Sequence, residues 1–259
     1  MIRMHSIHVV VGLGLAFSLM QNASVTKAVD LVGDYRLTDG NFDNSAVGPG
    51  ALGSMTFTQT GGTLGFGPSG WSWSDATGPS GSGLNLSGIT GGLASAYSVG
   101  VTAFFSETDG FRKLIDFNDL TTDIGMYVFA DQFQFYNIAA AAGTSAPFDA
   151  FTIVLTRDAS KNVNVYLNGN STPIISFVDS SDEAVAASGV LRFFQDDTAI
   201  ANEFSTGGSA SLIRVWDGAL SSGEIAGAMT VPEPSTYLLT AIAAGTISLG
   251  RRRRNVRRI

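Results

Sequence analysis

From residue 29 to residue 230 the chain is a succession of short apolar or alternating runs, each closed by a cluster of Gly, Ser, Asn or Asp, with hardly any helical periodicity. A backbone patterned this way cannot present the apolar stripes that helices need, and it predicts an all-β sandwich or barrel. Strands are expected near 31–37, 54–59, 83–86, 97–106, 111–118, 125–130, 132–136, 151–157, 162–167, 174–179, 190–195 and 210–216. A dozen strands in about 200 residues is the number a large two-sheet sandwich uses. Val163, Val165 and Leu167 alternate with Asn162, Asn164 and Tyr166, so one side of that strand is buried and the other can meet solvent or ligand. Residues 158–161 form a polar connection of hairpin length, and Asn168-Gly169 is a turn signal. Two stretches read as loops: 61–83, rich in Gly and Ser with Trp71 and Trp73 among them, and the Ala-rich 139–147. One helix is expected in the body, 221–229, where Ser221 and Glu224 have the spacing of a reciprocal capping box.

Both ends differ in texture from the body. Val231-Pro232-Glu233-Pro234-Ser235 is followed by the uncharged run 237–250 and then by Arg251, Arg252, Arg253 and Arg254; six of the last nine residues are arginine. The prolines forbid helix at 232 and 234. Residues 235–250 would span roughly 24 Å as a helix, short of the roughly 30 Å hydrocarbon core, and arginines that snorkel to the headgroups extend its effective length. Their charge holds that end in the cytoplasm with the body outside. At the other end a short segment carrying Arg3 precedes the apolar run 9–20, and Thr26-Lys27-Ala28 offers small residues for cleavage after Ala28, with Ala23 as a second position. The expected division is a signal peptide at 1–28, a body at 29–230 and a membrane-spanning tail at 231–259.

With both ends removed, the body keeps seven basic residues against twenty-one acidic ones, a net charge near −14. Phosphate backbones need clustered Lys and Arg, so nucleic acid is excluded as a partner. The chain has no cysteine, which leaves packing alone to stabilise the core. Both histidines, His5 and His8, fall in the signal peptide, so the mature chain has no imidazole for a Ser-His-Asp triad or a histidine-held zinc. Asp196-Asp197 with Glu203, and separately Asp116, Asn118, Asp119 and Asp123, supply clustered oxygens of the kind calcium prefers; turn capping is the alternative for the Asp pair. Trp71 and Trp73, partly exposed in a loop, could stack on sugars, with Trp71 as a lid on the core as the other reading, while Trp216 belongs to the core.

The order of Pro232-Glu233-Pro234, a short apolar span and the arginine cluster resembles the PEP-CTERM sorting signal. That resemblance implies cleavage near the motif by an exosortase during export, in organisms that make extracellular polysaccharide. In the body, the series Tyr35-Arg36-Leu37, 112–117, 123–128, 133–136, Phe151 to Asp158, Val165-Tyr166-Leu167-Asn168-Gly169, 193–197 and Ile213 through Ile225 resembles a laminin-G-like domain. The resemblance covers about residues 30–229 and implies a concanavalin A-like jelly roll of two antiparallel sheets, with calcium at the sandwich rim held by Asp196, Asp197 and Glu203. Some members of that superfamily hydrolyse or cleave glycans. Retaining hydrolysis needs two carboxyl groups about 5–5.5 Å apart, and the chain has no Glu-x-Asp-x-Glu segment to supply them. The expectation is therefore a non-catalytic exported protein of the envelope or matrix that binds extracellular polysaccharide or a surface protein, against the alternative of a divergent glycoside hydrolase or lyase.

Overall fold

The structure is a computed structural model that describes residues 29–59, 62–74, 82–147, 149–196 and 207–231. The expected signal peptide and membrane-spanning tail lie outside the described residues, among which no helix is long and apolar enough to cross a membrane. Fifteen described strands follow in order: β1 Asp30–Arg36, β2 Thr56–Thr58, β3 Thr63–Gly67, β4 Gly70–Ser74, β5 Gly83–Ser87, β6 Tyr97–Phe105, β7 Arg112–Asp116, β8 Gly125–Phe129, β9 Gln132–Tyr136, β10 Ala139–Ser145, β11 Phe151–Arg157, β12 Asn162–Leu167, β13 Ile175–Val178, β14 Val190–Phe193 and β15 Gly207–Asp217.

They form two antiparallel sheets. One has eight strands, ordered β13-β12-β11-β6-β15-β4-β3, with β1 paired to the far half of β15; the other has seven, ordered β10-β9-β8-β7-β14-β5-β2. This is the two-sheet antiparallel sandwich that the strand pattern predicts, in the jelly-roll form that the resemblance implies. The core lies between the sheets because alternate residues of each strand turn inward: Val99, Val101 and Phe105 from β6, Ile153 and Leu155 from β11, Met126 and Val128 from β8, Phe133 and Phe135 from β9.

All twelve expected strands are present, and three more appear where loops were expected. Residues 63–74 form the β3–β4 hairpin, in which Leu64 pairs with Trp73 and Phe66 with Trp71. Gly-Trp-Ser-Trp-Ser has a loop's composition and a strand's period, and the period wins because both indoles find the core. Trp71 and Trp73 are only 1% and 3% exposed, with ring centroids 5.0 Å apart, and Trp73 lies 4.8 Å from Phe194. Trp71 is thus the core residue of the alternative reading, and neither ring is the partly exposed surface that sugar stacking would need. The Ala-rich stretch becomes β10, an edge strand on β9 whose pairing slips between Ala140 and Ser145.

The expected C-terminal helix shrinks to one turn, α1, Ile225–Ala228. Half of the capping box forms: the Ser221 amide and hydroxyl both donate to Glu224 Oε2, at 2.8 and 2.7 Å, whereas the Glu224 amide donates to the Ser221 carbonyl instead of its hydroxyl. This turn packs on the outside of the eight-stranded sheet, where Ile225 joins Val154, Tyr166, Trp216 and Leu220 in a second apolar cluster. Met229 follows it down onto the sheet at Gly100, where any Cβ would stand 2.3 Å from the Met229 sulfur.

Candidate functional site

The outer face of the seven-stranded sheet carries side chains that neither the core nor solubility requires. Cross-strand register places Lys113 opposite Tyr127 and Tyr127 opposite Gln134; Asn85, Arg192, Asp116, Gly125 and Tyr136 line up in a row across five strands. Lys113 and Asp116 are three residues apart, and strict alternation would send them to opposite faces. A bulge between Lys113 and Ile115 adds the extra residue that returns Asp116 to the outer face.

The result is a buried charged layer. The Lys113 ammonium stands 3.1 Å from Asp116 Oδ2 and 3.6 Å from Asp196 Oδ1, donates to the Thr122 carbonyl at 3.2 Å, and lies 4.5 Å from the centre of the Tyr127 ring. The Tyr127 hydroxyl donates to Asp196 Oδ1 at 2.7 Å. Burial, and then the Asp196 carboxylate, push the Tyr127 phenol far above its ordinary value of 10.0, so it stays protonated and remains the donor. Lys113, Asp116, Tyr127 and Asp196 are all fully buried. Beside them Gln195 is 1% exposed, its side chain lies over Gly83 on this same face, and neither its amide nitrogen nor its oxygen has a hydrogen-bond partner among the described residues.

Around this layer the face is half open. Phe111 stacks on Phe129 with centroids 3.8 Å apart and meets Tyr136 edge-on at 5.1 Å, with all three rings partly exposed. Gln132 and Gln134, also partly exposed, border them on β9. On the other flank Arg192 donates to Asp119 Oδ1 through both Nε and Nη2, and to Asn85 Oδ1 through Nη1. Aromatic rings beside amide and guanidinium donors are a combination suited to sugars, which offer apolar ring faces and rims of hydroxyls. We call this the aromatic face.

The residues expected from sequence fare unequally. Asp196 accepts from the Tyr127 hydroxyl and faces the Lys113 ammonium it shares with Asp116, while Asp197 and Glu203, the other residues expected to hold calcium, lie outside the described residues. Among the described residues no three His, Cys, Asp or Glu side chains converge as a metal site. In the second acidic cluster, Asp116 also accepts the Leu120 amide, Asp119 is held by Arg192, and Asn118 donates to Thr122 and Glu183. Trp71 and Trp73 serve the core. Phe111, Phe129, Tyr136 and Gln195 went unmarked in the sequence, although the alternation of 132–136 already put Gln132, Gln134 and Tyr136 on one side.

A second concavity of about 970 Å³ lies at one end of the eight-stranded sheet, where Ser72, Ser74, Ser106 and Ser209 surround Phe104 and Glu107. Trp73, buried in the core, also contributes to its lining.

Comparison with known proteins separates the tail from the body. Residues 230–254 match the family described as the PEP-CTERM protein-sorting motif. The chain therefore carries a PEP-CTERM sorting signal. Such a signal marks an exported protein that is held transiently in the membrane and processed by an exosortase. No curated protein sequence matches the chain. The sandwich is similar to domain 4 of AbnA, a GH43 extracellular arabinanase from Geobacillus stearothermophilus, in complex with arabinotriose, with a TM-score of 0.53 and 17% identity over 77% of this chain and 98% of that domain. It is also similar to the binding domain of botulinum neurotoxin DC in complex with rat synaptotagmin II, with a TM-score of 0.53 and 10% identity over 76% of this chain. The serotype D binding domain gives 0.52 and 11%. The chain spans about half the length of those toxin domains. At these identities the likeness shows the fold.

Proposed function

We propose that the PEP-CTERM protein is a non-catalytic glycan-binding module of the cell envelope or extracellular matrix, and that it holds polysaccharide on the aromatic face. The observation that carries this reading is the trio Phe111, Phe129 and Tyr136, half-exposed beside Gln132 and Gln134 on a sheet face that the core does not use. The sorting signal supports it by delivering the body to where such polymers are made. The arabinotriose held by the similar arabinanase domain supports a short neutral sugar as the ligand class. A non-catalytic role is supported by Asp116 and Asp196, the two buried carboxylates on this face: both are drawn to one ammonium rather than set apart across a sugar to act as acid and nucleophile.

A glycan array and a reducing-sugar assay on residues 29–231 test the reading together. Binding without product is expected. Tyr136→Ala should weaken it about tenfold, the equivalent of roughly 1.4 kcal/mol for one stacking ring. Released sugar would return the protein to the glycoside hydrolases or lyases, and affinity indifferent to Tyr136 would remove the aromatic face as the site.

A further inference from the structure

The last described residues are fastened, not trailing. Arg214, 4% exposed on β15, donates through Nη1 to the carbonyls of Ala228 and Thr230, at 2.7 and 2.9 Å, and its Nε is held by Asp34 Oδ1 at 2.8 Å. Ile225 and Met229 seal the same turn onto Trp216 and Gly100. The body is thus folded up to Thr230, on the outer side of the eight-stranded sheet, and the sorting motif begins at that residue. Only six residues, 231–236, lie between Thr230 and Tyr237, where the apolar run starts.

We infer that, while the tail is in place, the aromatic face cannot be laid on the lipid surface, and the exit face is the side of the body held nearer to it. The inference rests on the reading of the tail as a membrane anchor. The seven backbone steps from Thr230 to Tyr237 reach at most about 25 Å fully stretched, and the headgroup layer consumes about 6 Å of that. Laying the aromatic face on the membrane would require the tether to descend past the layer formed by α1 and past two sheets about 10 Å apart, roughly 20 Å before outer side chains and the sideways detour round a sheet edge are added. The tether is too short for that path. A ligand site on the aromatic face is consequently available to extracellular polymer before the tail is cut, whereas the serine-lined concavity on the exit face is shadowed.

The absence of cysteine makes a clean test possible in the full chain, expressed without an exosortase and kept in inner-membrane vesicles. Single cysteines replace Ser176, exposed on the exit face in the cross-strand row of Asn164 and Thr156, and Gln134 on the aromatic face. Each is labelled with a donor fluorophore, and energy transfer to a headgroup acceptor is read. Transfer from S176C should exceed that from Q134C by at least about twofold for faces roughly 20 Å apart. Inserting ten Gly and Ser residues between Thr230 and Val231, which leaves the fold untouched, should abolish the difference; Arg214→Gln, which frees the last turn, should reduce it. Equal or reversed transfer in the uninserted chain overturns the orientation while anchorage stands. A chain that leaves the vesicles on alkaline washing overturns the anchor reading and the orientation with it.

Discussion

On the exit face the buried arginine Arg214 has a carboxylate at one end and two carbonyls at the other, and the apolar cluster around Trp216 is closed by the chain's own last turn. On the aromatic face Lys113 is shared between two carboxylates, Gln195 is buried with its amide unmet, and three aromatic rings stay half in solvent. The first arrangement is what packing for stability produces. The second is costlier, since buried charge and unsatisfied amides each oppose folding. Local violations of folding economy concentrate where a protein needs something other than stability, and the difference between the faces is the physical case for placing the ligand on one and the tether on the other.

That difference is broken most forcefully at Lys113. Lys113→Met leaves Asp116 and Asp196 buried without their shared cation and should destabilise the body by about 3–5 kcal/mol in urea unfolding. Arg214→Gln should cost less, about 1–2 kcal/mol, because Asp34 keeps the hydrogen bonds from Arg36 Nε and Nη2, at 3.0 and 2.8 Å. Equal losses would mean that the charged layer is no more exacting than an ordinary ion pair. Gln195→Leu sharpens the comparison in the other direction. Removing an unmet buried amide should raise stability by about 1–3 kcal/mol, and if that amide is kept for ligand, affinity falls as stability rises. A stability gain with unchanged glycan binding would make Gln195 a packing defect and not part of the site.

Most of the fold was legible in the sequence because a strand's period survives in a single chain: 97–106, 151–157 and 162–167 alternate, or run apolar, with a turn at each end. The misses have a common cause. In 63–74 the outward positions of β4 are Ser72 and Ser74 and those of β3 are Thr63, Gly65 and Gly67, so composition concealed the inward alternation of Trp71 and Trp73. The site was less legible because it depends on register. Nothing in Arg112-Lys113-Leu114-Ile115-Asp116 announces the bulge that turns both charges outward, and Asp196 reaches Lys113 from a segment 83 residues along the chain. The acidic pair drew attention to Asp196 for calcium, but which cation it meets is a tertiary fact.

The smallest expected effect lies at the exit turn, and its sign can be worked out. The Ser221 hydroxyl, and then the Ser221 amide, hold the Glu224 carboxyl below its ordinary value of 4.5, against a slight opposing contribution from burial. A depressed acid stabilises the fold above its unfolded value and ceases to do so as pH falls through the folded one. The turn should therefore be fully braced at pH 5 and above, and loosen as the pH drops below 4.5. Glu224 is almost wholly exposed to solvent, so the effect is limited to less than about 0.5 kcal/mol, roughly a twofold change in the opening of residues 224–230. Hydrogen exchange across those amides, corrected for intrinsic rates between pH 5 and 3, should show that change in the native chain and none in Glu224→Gln. Tyr127, whose proton is locked in place by burial and by Asp196, does not itself titrate in this range. Exchange at 224–230 that is unchanged between pH 5 and 3, or that changes equally in Glu224→Gln, would remove the Ser221–Glu224 brace from the exit turn.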